Sequence, residues 1–545
     1  MDGLRRAGGL TAQAQLLWRA TSQPRKKLLI DFSSPNVAKQ FHVGNLRSTL
    51  IGRFIDKAHR NLGDDVTSLN YLGDWGTQFA LIAAYWPQNR PSDAFWTKVS
   101  DDEKMKLIQQ CYVVANKMLT TEGDFRVVVR DTYKKMEDFL VKGVIEDEVM
   151  LLWRDIRSLS ERHLAHFYKL LDITFDKTFF ESDEVAGARK VIDELVQKGI
   201  AVKRADGLWV VEMEKKNAEG KEEYSIVKKS DDTTLYLTRD VASILRRDKL
   251  FGADRYLYVV DRAQKRHFEE IGYVLGKMGR RDLADKIEHV IFGRVQGLST
   301  RLGKTEAVTD VIERGSELAR QYIKSSPTAK VKEEEIAQLS RVLALDAITV
   351  NTLKRARASE YEFTFKNAFA LNQNNALLLQ EKYSRLCSIE AKNAELLPKL
   401  DEDSRISEDE GAKQLIDFLN ATPGVLVESA RRMEPCQLTV HLIQLAHHIG
   451  RAIANQKVSG ESIDVAVPRL PPSDPWNFNN YIHGQLRISQ METREWNRGR
   501  RFNKGKKGNR FQHLKEVLYW KWRRITGRNL TPRCHFHCAD DRHQH

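Results

Sequence analysis

Residues 27–80 alternate between two hydrophobic periods. "KLLIDF" is a short apolar run that predicts a buried strand through Leu28, Leu29 and Ile30. Leu46, Leu50, Ile51, Phe54, Ile55, Ala58 and Leu62 then recur at helical spacing, and Gly63 follows as a natural stop. "DVTSLNYLGDWG" predicts a second strand. The segment reads β–α–β, with the helix beginning after residue 45. Residues 100–170 are mostly helical in pattern. Residues 199–237 alternate between apolar and polar positions around Gly and Asp turns, which predicts a small antiparallel β-region.

"RDVASILRRDKL", "RYLYVVD", "QKRHFEEIGYVLGKMG" and "IEHVIFGRVQGL" continue as helix, strand, helix, strand. Alternating β and α elements imply a doubly wound, mostly parallel sheet. The fold class expected is α/β: a Rossmann-like domain over 28–305, with an inserted α+β subdomain at about 110–232. From about residue 306 to 470 the pattern is almost wholly helical and predicts an all-α bundle. No internal repeat is evident.

Composition changes this picture in three places. The chain has 545 residues, too many for a single core, so several domains are expected. The formal net charge is +14, but residues 494–528 carry thirteen Lys or Arg against two Glu, so nearly all of the excess lies in the tail. Basicity is therefore no sign that the body binds nucleic acid. The five cysteines, Cys111, Cys387, Cys436, Cys534 and Cys538, make no disulfide framework, which suits a reducing compartment. No apolar run approaches the roughly 18 residues of a membrane-spanning helix, so no membrane partner is expected. Residues 1–27 hold one acid and several Arg. They read either as a mitochondrial transit segment or as a basic leader without a targeting role.

Five polar patches fall where predicted strands end. "SPNVAKQFHVGNLRST" places Lys39, His42 and Gly44 at a strand-to-helix turn, where free N–H groups and the helix dipole favour phosphate. The same residues also fit an ordinary turn with a hydrogen-bonded histidine. "NYLGDWGTQF" has Gly73 and Gly76 around an acid and an aromatic that can wall a pocket. "TTLYLTRD" sets Tyr236 and Asp240 four apart, on one face of a helix start, or as a cap with a packed tyrosine. "YVVDRAQKRHF" puts Asp261, Gln264 and His267 after a strand, and "GLSTRLGK" is a basic loop after the last strand. Ligands of open α/β sheets bind at such strand ends.

Together and in this order, the patches resemble arginyl-tRNA synthetase over roughly residues 27–470. "HVGN" is similar to the H-x-G-H signature of class I aminoacyl-tRNA synthetases, and "LSTRLGK" to their K-M-S-K-S signature. The other segments resemble pieces peculiar to the arginine enzyme. The resemblance implies that arginine and ATP give arginyl-adenylate and pyrophosphate, and that arginine then passes to tRNA-Arg. Members of the family need bound tRNA for the first step. ATP with Mg2+, L-arginine and tRNA-Arg are the implied ligands, and a monomer is expected, in cytoplasm or mitochondrial matrix.

The resemblance also implies roles. Lys39, His42 and Asn45 are the catalytic candidates. His42 and Gly44, with Ser299, Arg301 and Lys304 from the second signature, match the ATP-binding positions. Ser34, Asn36 and Asn45 match residues facing arginine, and Glu181, Tyr236, Asp240 and Gln264 match those that hold its side chain. A guanidinium suits a planar carboxylate such as Asp240. "LSTRLGK" lacks the lysine that class I enzymes bring to pyrophosphate, and Lys39 stands where a lysine substitutes for it. No metal ligands are expected in the protein.

Three departures stand out. Asn45 replaces the second histidine of the signature. The family's N-terminal domain, which touches the tRNA elbow, has no counterpart, so weaker tRNA affinity is expected. After "DVAVPRL" (464–470) no counterpart to the family's last helix follows. The basic tail 471–545, expected to be disordered, reads either as an RNA-binding segment, through Arg and Lys interleaved with Trp496, Phe502 and Trp520, or as sequence foreign to the family. "CHFHC" (534–538) matches no familiar zinc spacing. A non-catalytic RNA-binding derivative and a small-molecule nucleotidylyltransferase remain the competing readings.

Overall fold

A computed structural model of the chain describes residues 10–21, 25–39, 41–216, 222–296, 307–325, 331–370, 373–392 and 410–455. The strands in chain order are β1 Lys27–Asp31, β2 Asp65–Leu72, β3 Lys177–Phe180, β4 Val202–Lys203, β5 Trp209–Lys216, β6 Glu222–Lys228, β7 Arg255–Tyr258 and β8 Ile287–His289. The main sheet has the order β3-β2-β1-β7-β8. Its β2–β3, β1–β7 and β7–β8 pairs are parallel, with Leu28 opposite Arg255 and Leu69 opposite Lys177. β4, β5 and β6 form the separate antiparallel sheet that the alternating pattern of 199–237 predicted.

The longer helices are α1 Leu10–Thr21, α2 Val43–Leu62, α3 Thr77–Asn89, α4 Asp101–Thr121, α5 Gly123–Lys142, α6 Glu148–Leu170, α7 Val185–Gln197, α8 Tyr236–Phe251, α9 Lys265–Lys277, α10 Val308–Ser325, α11 Glu333–Leu353, α12 Ala376–Lys392, α13 Glu410–Arg431 and α14 Pro435–Asn455. No described helix is long and apolar enough to cross a membrane.

The chain divides into two compact units. One comprises Lys26–Gly52 and Val66–Gly293 and holds these two sheets, whereas a short parallel pair, Val295–Gln296 with Tyr361–Glu362, belongs to the other. Leu29, Leu69 and Tyr256 from its strands meet Val191 and Leu195 of α7, Val241 and Ile244 of α8, and Val274 and Leu275 of α9 in a single core. The other unit takes in Arg53–Asp65 and the described residues from Arg294 onward, where Ala319, Ile323, Leu339, Leu343 and Leu377 form a helical core.

Three sequence expectations change. β3 lies inside the interval 110–232 that was read as an insertion, yet it is a strand of the main sheet. It spans four residues, two of them exposed, so it leaves no apolar run to recognise. α2 begins at Val43, three residues early, so Val43, Gly44 and Asn45 lie in its first turn. Residues 10–21, within the stretch read as a leader, are a helix with Ala14 and Trp18 buried. The Trp18 indole N–H donates to Asp64 Oδ1 at 3.4 Å, and the Asp64 carboxylate also meets His59 Nδ1 at 2.8 Å. The boundary expected at 305 and the tail 471–545 lie outside the described residues.

Close approach explains one glycine of α2. A Cβ on Gly52 would lie 2.2 Å from Cβ and Cγ of Phe32, the residue just after β1. Gly52→Ala is therefore expected to overpack this contact and destabilise the sheet unit by about 3 kcal/mol, seen as a lower urea midpoint.

Asp74 and Trp75, which the sequence placed on a pocket wall, are instead fully buried. Asp74 accepts from the Ser182 N–H at 2.8 Å and the Ser182 hydroxyl at 2.7 Å, tying the end of β2 to the turn after β3. Burial pushes its carboxyl up to about 6, against the Ser182 hydrogen bonds and Arg157. A raised acid pKa means the native state holds its proton more tightly, so stability falls as pH rises from about 4 to 6. Asp74→Asn is expected to abolish this component, worth up to about 3 kcal/mol, in urea denaturation series at pH 4, 5 and 6.

Candidate active site at the strand ends

Between β1 and α2 the chain passes through Ser33, Ser34 and Ala38 with φ of 70°, 39° and 62°. Left-handed backbone at non-glycine residues costs about 1–3 kcal/mol each, and it persists where the surroundings enforce it. Here they do. Ser33 N–H donates to Ser48 Oγ at 3.1 Å, and Ser33 Oγ lies 2.8 Å from the Tyr168 hydroxyl. Ser34 N–H donates to Asn70 Oδ1 at 3.2 Å, and Ala38 N–H to Ser160 Oγ at 3.2 Å. Asn36 is exposed and bridges to Gly73, where a Cβ would stand 2.3 Å from Asn36 Oδ1.

His42 and Asn45 cap α2 reciprocally. His42 Nδ1 accepts from the backbone N–H of Gly44 at 3.1 Å and of Asn45 at 3.4 Å, while Asn45 Oδ1 accepts from His42 N–H at 3.2 Å. This is the logic of a capping box, with histidine as the cap. The sequence allowed either free N–H groups for phosphate or a turn with a hydrogen-bonded histidine; here the His42 ring takes two of the N–H groups. Because Nδ1 accepts, the ring proton sits on Nε2, the nitrogen left to donate outward. Burial, with the nearby charge of Lys39, holds the imidazole below its ordinary pKa, so it is neutral at pH 7. Gly44 has its reason here too, since a Cβ would come 3.0 Å from His42 Cε1.

Lys39 is half-buried, with its ammonium 5.2 Å from the centre of the Tyr112 ring on α4. Burial lowers its pKa.

The acids expected to meet arginine already have partners. Glu181 Oε1 accepts from Arg239 Nε at 2.8 Å, so the guanidinium beside it belongs to this chain. Burial raises the Glu181 carboxyl, against the pull of Arg239. Arg239 Nη1 also donates to the Thr234 hydroxyl at 2.9 Å, and that hydroxyl donates to buried Glu137 at 2.9 Å. Asp240 Oδ2 lies 2.6 Å from His267 Nε2. Tyr236 opens α8, remains 54 % exposed, and sets its ring 4.9 Å from that of His267. Gln264 is exposed in the short turn after β7, where Asp261 Oδ1 accepts from Ala263 N–H at 2.7 Å. Ser299, Arg301 and Lys304 lie outside the described residues.

Two side chains that anchor the strand ends escaped sequence reasoning. Asp31, at the end of β1, accepts from Arg247 of α8 at 2.8 Å and from the Ser34 hydroxyl at 2.5 Å. Arg247 also donates to the Tyr258 hydroxyl at 3.1 Å and lies 4.6 Å from the Tyr71 ring centre. Burial raises the Asp31 carboxyl, opposed by Arg247. The signal for Asp31 was an acid closing an apolar strand; for Arg247, one basic residue among several on a helix, there was none.

Among the described residues there is no group of three or more His, Cys, Asp or Glu placed to hold a metal ion. The constellation is instead a neutral imidazole donor and an ammonium at one helix start, and a carboxylate beside an exposed phenol at another. That suits a phosphate ester on one side and a cationic side chain on the other.

Comparison with known proteins gives the same direction. Residues 9–365 match the family described as tRNA synthetases class I (R), catalytic domain, and residues 379–471 the DALR anticodon binding domain. The cytoplasmic arginine–tRNA ligase of Saccharomyces cerevisiae is 30 % identical over 456 residues, covering 82 % of this chain and 72 % of that one. The probable mitochondrial arginine–tRNA ligase of Mus musculus is 30 % identical over 453 residues, covering 82 % and 75 %. Among solved structures, the arginyl-tRNA synthetase of Plasmodium falciparum superposes with a TM-score of 0.63 at 24 % identity, over 83 % of this chain and 74 % of that one. The enzyme of Thermus thermophilus gives 0.65 at 18 % identity, over 85 % and 81 %. These two likenesses speak to the fold, and the sequence matches to the family: the chain belongs to the class I arginyl-tRNA synthetases.

Proposed function

We propose that this chain is an arginine–tRNA ligase. It activates L-arginine with ATP to arginyl-adenylate and transfers the arginyl group to the 3′ end of tRNA-Arg. The observation that carries the reading is the placement of Ser34, His42, Tyr236, Asp240 and Gln264 in one unit. They follow β1 and β7, adjacent parallel strands, or open α8, which His267 joins to the segment after β7.

In this reading the arginine carboxylate attacks the α-phosphorus of ATP, and pyrophosphate leaves. His42 donates from Nε2 to a phosphate oxygen, and Lys39 supplies positive charge as negative charge builds on the leaving group. A terminal ribose hydroxyl of tRNA then attacks the activated carbonyl, and AMP leaves. Catalysis is positioning and charge stabilisation, with no covalent enzyme intermediate. Asp240 pairs with the substrate guanidinium through the oxygen that His267 leaves open. Asn45 supports the site by fixing His42, which explains how asparagine serves where relatives of the signature carry a second histidine. Ser299, Arg301 and Lys304 are assigned to ATP by their motif alone.

Magnesium enters with ATP, held by phosphate oxygens and water, as this ion ordinarily is in nucleotide sites. A single chain is the working unit of this reading. The setting is the cytoplasm or the mitochondrial matrix. The burial of Trp18 supports retention of residues 10–21 in the working protein.

The test is charging of total tRNA with labelled arginine, beside ATP–pyrophosphate exchange with and without tRNA. Arginine-specific, tRNA-dependent signal is expected. Lys39→Ala is expected to lower kcat about a hundredfold. Binding of tRNA by folded protein that never charges it would instead support the non-catalytic RNA-binding reading.

A further inference from the structure

We propose that His267 is the positioning residue of the guanidinium subsite: it fixes Asp240 and Tyr236 together. The inference rests on the arginine–tRNA ligase reading and deepens it.

His267 lies in the first turn of α9, and its side chain is 10 % exposed. Its Nε2 is 2.6 Å from Asp240 Oδ2. Its ring is 4.9 Å from that of Tyr236, inclined by 51°. One side chain therefore touches both residues of α8 that the family assigns to the substrate side chain, from a different element of the sheet.

The chemistry follows from what a carboxylate lacks. Asp240 sits partly exposed on a helix surface, where a carboxylate without a partner rotates freely about its terminal bond. A guanidinium presents its donors in a rigid fork, so it discriminates among carboxylate orientations. A hydrogen bond from His267 to Oδ2 fixes the carboxylate plane before the ligand arrives, and leaves Oδ1 open. Tyr236, with half its surface in solvent, gains a fixed ring position from the same imidazole. Preorganisation of this kind lowers the entropy cost of binding.

The other ring nitrogen of His267, Nδ1, is buried without a hydrogen-bond partner among the described residues, so Nε2 is the nitrogen that faces Asp240. The imidazole ring also meets the adjacent Phe268 edge-on with centroids 5.8 Å apart, and Phe268 in turn stacks on His289 at 4.7 Å.

The experiment uses the full chain and two substitutions. His267→Phe keeps a flat ring against Tyr236 and removes both nitrogens. His267→Gln returns an N–H to Asp240 without the ring. KM and kcat are measured in tRNA-dependent ATP–pyrophosphate exchange with arginine and ATP varied in turn, alongside equilibrium binding of labelled arginine. Competition by citrulline, the uncharged analogue of similar shape, is measured in the same binding assay.

For His267→Phe, KM for arginine is expected to rise about tenfold or more. KM for ATP and kcat are expected to stay within about threefold, and the preference for arginine over citrulline to shrink. His267→Gln is expected to recover much of the arginine affinity. Wild-type arginine affinity in His267→Phe overturns the proposal. So does a parallel loss of both KM values and kcat that His267→Gln fails to relieve. If His267→Phe does not fold, His267→Gln decides: arginine affinity nearer wild type than Asp240→Ala supports the role, and equal loss overturns it. If the wild type binds arginine but never charges tRNA, the ligase reading fails while the subsite stands or falls on the binding data. If it does not bind arginine, both fall.

Discussion

A buried ion pair organises the sheet end on which the site is built. Asp31 closes β1, Arg247 reaches it from α8, and the Ser34 hydroxyl bonds to the same carboxylate. Such a pair is poor value for stability alone, since the desolvation of two charges offsets much of their attraction. Its effect is geometric. It ties the loop of Ser34 and Asn36 to the helix that begins with Tyr236 and carries Asp240. The loop and the helix share one anchor, and a shift in either is felt at the other.

The same economy recurs through the site. Thr234, just before α8, is held by Glu137 of α5, and Arg239 links Thr234 to Glu181 after β3. Nearly every charged group near the strand ends thus has an internal partner. A site that receives a cation cannot keep unpaired carboxylates in a low-dielectric setting without either protonating them or paying their desolvation. Internal arginines and a histidine hold those acids aligned, and the arginines oppose the upward push of burial on Asp31 and Glu181. Among the acids described here at the strand ends, Asp240 differs in having an imidazole rather than a guanidinium as its partner.

Much of this fold was legible, for reasons that are local. β1, β2 and β7 carry apolar runs, α2 and α8 carry helical periodicity, and Gly63 stops α2 with φ of 99°. β3 was not legible, because a four-residue edge strand has no pattern to display. In the site, residue types at strand ends were legible, whereas their partners were not. Asp31 and Arg247 are 216 positions apart and Glu181 and Arg239 are 58 apart, so no spacing rule connects them. The capping role of His42 was missed for a different reason: histidine is not among the usual caps, so only geometry reveals it.

That cap bears on how Asn45 works in this signature. If residue 45 had to supply charge, an amide there would be a defect. In this structure its carbonyl oxygen holds the backbone of His42, and the His42 ring in turn holds the backbone of residues 44 and 45. The exchange fixes the tautomer, so the Nε2 hydrogen points away from the helix end with its own dipole behind it. Burial and Lys39 both favour the neutral ring, and a neutral donor does not exchange its proton as charge develops on phosphate. Positive charge then has to come from elsewhere. Lys39, three residues upstream and resting over Tyr112, is the nearest described cation on the same loop. Hydrogen bonding and charge are thus divided between two side chains of one turn, and the asparagine keeps the first of them in place.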